Sequence, residues 1–314
     1  MSLAFVFPGQ GSQAVGMLDA FADVPVVASL LATANEALGE DLAGLIARGP
    51  AEQLALTVNT QPAMLVAGLA CFEAWRAAGG PDPVAVAGHS LGEYTALTAA
   101  GAMTPAAAVA LVRLRAQAMQ DAVPVGTGAM AAILGLDDDA VRQACANAMA
   151  AAPGEVVEAV NFNAPAQVVI AGHKGAVERA CEQAKALGAK RALPLPVSAP
   201  FHSSLLEPAG AKLRDALAKV ELKSPAWPLV NNVDVAAPTD PAAIRDALVR
   251  QAYGPVRWVE VVRKLAGMGV TRVIEFGPGK VLSGLTSRID KSLKGHAVYD
   301  QASLQAVLAE VRGA

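Results

Sequence analysis

Three short apolar runs break off at glycine or proline, and the stretches between them carry helical patterns. Leu3–Phe7 runs into Pro8-Gly9, residues 84–87 into Gly88, and residues 270–276 into Gly277-Pro278-Gly279. Such runs lack the alternation of a sheet with one wet face. They suit parallel strands covered by helices on both sides. Residues 61–78, 91–100 and 105–121 read as helices between them. Thr104 before Pro105 strengthens the last, because a cap residue followed by proline at the first helical position satisfies an N-terminus well. The expected class is α/β, built in layers.

The middle of the chain changes rhythm. Residues 128–136 read as a strand, 138–151 as a helix, and 156–160 and 167–171 as two strands. Residues 174–187 read as a helix and 190–195 as a strand. This β-α-β-β-α-β order is the ferredoxin-like split unit. Pro124-Val125-Gly126 and Pro194-Leu195-Pro196 bracket it. The expected division is a large domain from residues 1–124 and 197–314, with a small α+β domain inserted over residues 125–196.

With 314 residues, 54% of them hydrophobic, the chain can bury a large core. A formal net charge of −3 sets nucleic-acid binding aside. Three cysteines without a Cys-x-x-Cys pair, and four histidines, give neither a disulfide framework nor a metal-ligand spacing. Cys71, Cys145 and Cys181 each fall in a helix-like apolar run and read as small buried hydrophobes. The uncharged stretch 95–112 is alanine-rich and broken by Gly101, Thr104 and Pro105, so it reads as two buried helix segments rather than a membrane span. The opening residues carry no secretory pattern. A cytoplasmic protein without membrane contact is expected.

Residues 84–93 read as strand, turn and helix, with Gly88-His89-Ser90-Leu91-Gly92 at the turn. That is the context of a Gly-x-Ser-x-Gly nucleophile elbow. It would project Ser90 at the carboxyl end of a strand, beside free N–H groups of a helix N-terminus. The plain alternative is a glycine-rich turn with a capping serine. A serine hydroxyl needs a base. His89 is adjacent, but neighbouring side chains diverge on such a turn, so it reads as shaping the elbow or lining the pocket. His173 reads as solvated at the small domain's edge, and His296, near a polar C-terminal loop, as a bland residue without a catalytic role. His202 follows directly on the return from the insertion and is the best base. No Asp or Glu is obviously placed to complete a triad, and a backbone carbonyl can orient an imidazole equally well.

These motifs together resemble the malonyl-CoA:acyl carrier protein transacylases. The resemblance covers nearly the whole length. It runs through Phe7-Pro8-Gly9-Gln10-Gly11-Ser12-Gln13, Thr60-Gln61-Pro62-Ala63, Gly88-His89-Ser90-Leu91-Gly92-Glu93-Tyr94, Arg115 with Met119-Gln120, and Asn161-Phe162-Asn163. It continues through Gly172-His173-Lys174, Pro196-Val197-Ser198 leading to His202, Asn231-Asn232-Val233-Asp234, Val249-Arg250-Gln251 and Glu275-Phe276-Gly277-Pro278-Gly279. The fold implied is a hydrolase-like large domain with a ferredoxin-like small one.

The resemblance implies a Ser90–His202 dyad, with a carbonyl at Gln251 receiving the second imidazole N–H. It implies an oxyanion hole from the backbone N–H groups of Gln10 and Leu91, with Gly9 and Gly11 allowing close approach. Arg115 would bind the malonyl carboxylate with a two-pronged hydrogen bond. Arg113, roughly 200° away around the helix, would be solvated. Phe201, before the base, goes with malonyl over methyl-branched units in related domains; the alternative is a packing ring with no part in selection. Malonyl-CoA and the phosphopantetheine thiol of holo acyl carrier protein are the implied substrates, with no cofactor. An acidic carrier would be steered by basic residues such as Lys190, Arg191, Arg272, Lys280, Arg288, Lys291 and Lys294. Gly277-Pro278-Gly279-Lys280 lacks the spacing of a nucleotide loop and reads as a turn. A trans-acting malonyltransferase for polyketide synthesis, a thioesterase or esterase on the same site, and a non-catalytic docking module are the competing functions.

Overall fold

The structure is a computed structural model that describes residues 2–197 and 199–313. It contains two sheets. The first is wholly parallel. Its strands are β1 (Leu3–Phe7), β2 (Ala85–Gly88), β7 (Leu229–Val230), β8 (Arg272–Phe276) and β9 (Lys294–Val298), in the order β7-β2-β1-β8-β9. The second is antiparallel, from β3 (Gly128–Leu134), β4 (Val157–Ala164), β5 (Gln167–His173) and β6 (Arg191–Pro194), in the order β4-β5-β3-β6. With the helices Asp138–Ala150 and Lys174–Ala186 between them, these strands have the ferredoxin-like order. The α/β class with a parallel sheet and a smaller α+β unit thus holds. Two strands were not expected. β7 is two residues long, and β9, Lys294-Gly295-His296-Ala297-Val298, is polar along most of its length. His296 lies in this strand, with Nδ1 3.4 Å from Glu310 Oε2.

Both faces of the parallel sheet are covered at its centre, which is why β1 and β2 are apolar throughout. Phe5 and Phe7 point to one side; Phe5 meets Phe72, Trp75 and Phe276 edge-on, with the Phe5 and Phe276 ring centroids 4.8 Å apart, and Phe7 meets Phe72 edge-on. Ala4 and Val6 point to the other side, into a second cluster with Val261, Leu265 and Leu282. The helix Thr57–Ala77 is buried nearly all round and fills the aromatic side. It begins four residues before the expected start. Pro62 lies inside it, where its missing N–H leaves one helical hydrogen bond unmade.

The stretch 95–112 does divide into two helices, Gly92–Ala99 and Pro105–Asp121, and the second is capped by Thr104 Oγ1 accepting the Ala107 N–H at 3.3 Å. Among the described residues no helix is long and apolar enough to cross a membrane. The antiparallel sheet shows Ile133, Val168 and Ile170 to its own helices. Met130, Val169 and Ala171 face the other way, toward Met119, Phe201 and Leu206. β4 also bonds to the segment after the helix Pro241–Gln251, Phe162 N–H to the Val256 carbonyl at 2.9 Å and Val256 N–H to the Val160 carbonyl at 2.8 Å.

The turn after β2 leaves no space for side chains at its two glycines. A β-carbon on Gly88 would lie 1.9 Å from the Gly92 backbone, and one on Gly92 would lie 2.0 Å from the Phe7 carbonyl oxygen. Gly92→Ala is expected to destabilise the protein by about 3 kcal/mol, because strand and helix must separate. Chemical denaturation of the variant measures this, and a loss under about 1 kcal/mol would contradict the packing argument.

Candidate active site

Ser90 projects from this turn with φ 54°, in the left-handed region that L-residues rarely occupy. His202 is also left-handed, at φ 67°. Strain at both positions marks a site that its surroundings hold in shape. Ser90 Oγ lies 2.7 Å from His202 Nε2. His202 Nδ1 lies 2.9 Å from the Gln251 carbonyl. That carbonyl can only accept, so the ring proton sits on Nδ1, and Nε2 is left to accept from the serine. Gln251 ends the helix Pro241–Gln251, where terminal carbonyls lack a helical partner. Burial, and then the Arg115 charge, push the His202 pKa down to about 3, so the imidazole is neutral near pH 7.

Arg115 is buried in the helix Pro105–Asp121. Its Nη1 donates to Gln61 Oε1 at 2.7 Å. Its Nη2 donates to Ser90 Oγ at 3.1 Å and to Gln251 Oε1 at 3.0 Å. Every one of these acceptors is neutral. Among the described residues no carboxylate lies within ion-pair distance of Arg115. The Tyr94 ring lies 5.3 Å from its guanidinium carbon. Burial lowers the Arg115 pKa, while neighbouring Tyr94 and Glu93 favour its charge. Arg113 was expected in solvent. It turns instead toward Glu40, 2.9 Å away, and is only 22% exposed.

These groups open into a cleft of about 370 Å³ between the two sheets. Gln10, His89, Ser90, Arg115, Phe201 and His202 all line it. Gln10 is exposed on the loop after β1, and its side-chain oxygen is 3.4 Å from Gln61 Nε2. Leu91 is buried at the start of the helix Gly92–Ala99, with its backbone beside Ser90. His89 is half-buried, and its Nε2 lies 2.7 Å from Asn163 Oδ1 of β4, so it links the elbow to the small sheet. Burial lowers its pKa. His173 is not solvated as expected; its Nδ1 accepts the Val156 N–H at 2.9 Å. Cys71 and Cys145 are buried as expected, whereas Cys181 is only half-buried. Arg272 is not a free surface charge, since Glu310 lies 3.5 Å from it. Among the described residues no group of His, Cys, Asp and Glu has the arrangement of a metal site.

Glu93 and Asn232 belong to the site, and sequence reasoning gave neither a role. Glu93 is buried under the elbow, where Gln251 Nε2 and the Asn232 N–H donate to its Oε2. The signal was one acid in an otherwise apolar helix. Burial raises the Glu93 pKa from 4.5 to about 7; the bonds from Gln251 and Asn232 and the charge of Arg115 oppose this, and Asp234 adds to it. A raised folded-state pKa means that stability is greatest while the group is protonated and is lost as pH rises through about 7. The Glu93→Gln variant cannot ionise there. Wild type is therefore expected to lose melting temperature relative to the variant between pH 4.5 and 8. Parallel melting curves over that range would contradict it.

The acyl transferase domain family model matches residues 4–303. A malonyl CoA-acyl carrier protein transacylase from Salmonella typhimurium is 54% identical over 308 residues, covering 98% of this chain and 99% of the relative. The Bacillus subtilis protein of that name is 46% identical, covering 96% and 95%. The crystal structure of an acyl-carrier-protein S-malonyltransferase from Burkholderia pseudomallei superposes with TM-score 0.96 at 67% identity, covering 98% of this chain and 99% of that one. A malonyl-transacylase solved with a type II polyketide acyl-carrier protein gives TM-score 0.96 at 50% identity, covering 99% and 100%. With the family model and these relatives matching almost from end to end, the chain belongs to the acyl transferase family, in the branch that holds the malonyl CoA-acyl carrier protein transacylases.

Proposed function

We propose that the protein transfers the malonyl group of malonyl-CoA to the phosphopantetheine thiol of acyl carrier protein, through a malonyl ester on Ser90, and so supplies the extender unit of fatty-acid synthesis. The observation that carries this reading is Arg115, a buried cation with neutral partners, 3.1 Å from Ser90 Oγ. One methylene separates the malonyl carboxylate from the carbonyl under attack. Its cationic partner must therefore sit close to the nucleophile, where Arg115 does. An acyl group without a carboxylate leaves that cation buried and unpaired.

In the first half-reaction Ser90 Oγ attacks the thioester carbonyl as His202 Nε2 takes its proton. The backbone N–H groups of Gln10 and Leu91 hold the developing oxyanion. Collapse breaks the C–S bond, and His202 returns the proton to the leaving thiol of CoA. In the second half-reaction the carrier thiol gives its proton to His202 and attacks the Ser90 ester, and the proton passes back to Ser90. The Gln251 carbonyl keeps the imidazole oriented throughout. The malonyl carboxylate also assists its own transfer. By pairing with Arg115 it offsets a charge that holds the His202 pKa down, and so strengthens the base.

The same reading gives residues 1–124 and 197–314 to the catalytic domain and 125–196 to the small one. It places the protein in the cytoplasm and calls for no cofactor, since acyl transfer by this dyad needs none. Lys280 and Arg288 are near the cleft, beside the lining residues Val281 and Leu285, and suit an acidic carrier. A polyketide carrier is the second reading, favoured by the relative solved with such a partner. Acceptance rates of the two holo carriers separate them.

Intact-mass spectrometry tests the transfer. A malonyl adduct on Ser90 that moves to added holo carrier supports it; release as malonate indicates a hydrolase, and no adduct a docking module. Arg115→Ala is expected to lower kcat/KM for malonyl-CoA by about 100-fold or more, with acetyl-CoA gaining relative to it. Phe201→Ser is expected to raise methylmalonyl transfer relative to malonyl, because the ring fills space beside the α-carbon. Unchanged discrimination in paired substrate competition would remove Phe201 from selection.

A further inference from the structure

The left-handed conformation of Ser90 is held by two side chains. Asn232 Oδ1 accepts the Ser90 N–H at 2.7 Å, and Asn232 Nδ2 donates to the Gly88 carbonyl at 2.7 Å. Gln251 Nε2 donates to the Ser90 carbonyl at 2.9 Å. Both residues then converge on one atom. Glu93 Oε2 accepts the Asn232 backbone N–H at 2.9 Å and the second Gln251 Nε2 proton at 3.0 Å. Glu93 is 1% exposed and does not line the cleft.

This atom sets the orientation of the Gln251 amide. Nε2 lies between two acceptors, Glu93 Oε2 and the Ser90 carbonyl, so Oε1 is the atom left facing Arg115 Nη2. A reversed amide would set oxygen against two oxygens and NH₂ against a guanidinium. The same residue supplies the carbonyl under His202 Nδ1. Gln251 thereby joins nucleophile, base and guanidinium, and Glu93 fixes Gln251.

We propose that Glu93 is a positioning residue that keeps Ser90 and His202 in reacting register through Gln251 and Asn232, without touching substrate. It works by acceptor geometry rather than charge, because Oε2 can take both hydrogen bonds whether or not Oε1 carries a proton. The charged and titratable groups around it, Arg115, Tyr94 and Asp234, do not replace that acceptor. This rests on the dyad reading above, which the wild-type adduct tests separately; differences among variants test Glu93.

Two substitutions divide the possibilities. Glu93→Gln keeps an acceptor oxygen in place and loses the charge. Glu93→Asp keeps the charge and withdraws the carboxylate by about 1.5 Å. Single-turnover acylation of Ser90 is followed with malonyl-CoA and with p-nitrophenyl acetate, which has no carboxylate for Arg115. Glu93→Asp is expected to slow acylation by about 30- to 100-fold with both acyl donors, the size of effect an ångström of misplacement produces. Glu93→Gln is expected to fall by no more than about fivefold. A residue that only stabilised the fold would lower the melting temperature and leave the rate per folded molecule unchanged. Equal rates, the reverse order of the two variants, or a loss confined to malonyl-CoA would overturn the proposal. If Glu93→Asp does not fold, Glu93→Gln decides alone: a loss beyond about tenfold in the folded variant overturns it, and retention supports it.

Discussion

Between β2 and the helix that follows it, backbone meets backbone with nothing in between. Gly92 lies against the Phe7 carbonyl, and Gly88 against Gly92 itself. That contact forces the chain through a turn in which Ser90 takes a left-handed conformation, and most of the site can be traced from it. Asn232 and Gln251, more than 140 positions away along the chain, return to secure the serine's N–H and carbonyl. Gln251 in turn meets Arg115 and His202. The large sheet is the frame for this turn, since the parallel register of β1 with β2 brings Phe7 opposite Gly88.

Electrostatically the site is unusual in what surrounds its cation. Arg115 is buried, yet its hydrogen-bond partners are two amide oxygens and a hydroxyl. The nearby acid, Glu93, is separated from it by the Gln251 amide. Such a cation is poorly compensated until an anion arrives, and this fits the proposed choice of a carboxylate-bearing acyl group. The proposed acyl transfer draws on a strained serine, a neutral imidazole and a waiting guanidinium.

Much of this was legible in the sequence, for physical reasons that can be named. Strands buried on both faces declare themselves by apolar runs, unbroken in β1 and β2 and interrupted in β8 only by Arg272 and Glu275, so all three were readable. The small unit's order followed from its turn residues and alternation. β7 is too short to leave a pattern, and β9 is polar because it lies at the sheet's edge. Ser90 and His202, which the structure brings within 2.7 Å of each other, could be singled out because local pattern and chain order constrain them. Arg113 was misread because its partner, Glu40, lies in a distant segment, and a helical projection cannot see it. Glu93 and Asn232 were missed for the same reason. Their importance is a matter of long-range hydrogen bonds, and in the sequence they were only letters within longer motifs.

The groups proposed to react, Ser90, His202, Arg115 and the backbone of Gln10 and Leu91, all come from outside residues 125–196. The antiparallel sheet adds part of the wall, through Met130, Asn163 and Val169, and Asn163 also holds His89. Part of the cleft's shape is therefore written in a different stretch of the chain from the groups proposed to react. Substitutions in β3, β4 or β5 can reshape what the cleft admits while the bond-making atoms keep their distances. A lineage of such proteins can thus adjust one wall of the cleft by drift in the small unit, while the groups proposed to react, and Arg115 and Phe201 proposed to choose the acyl group, stay in the other.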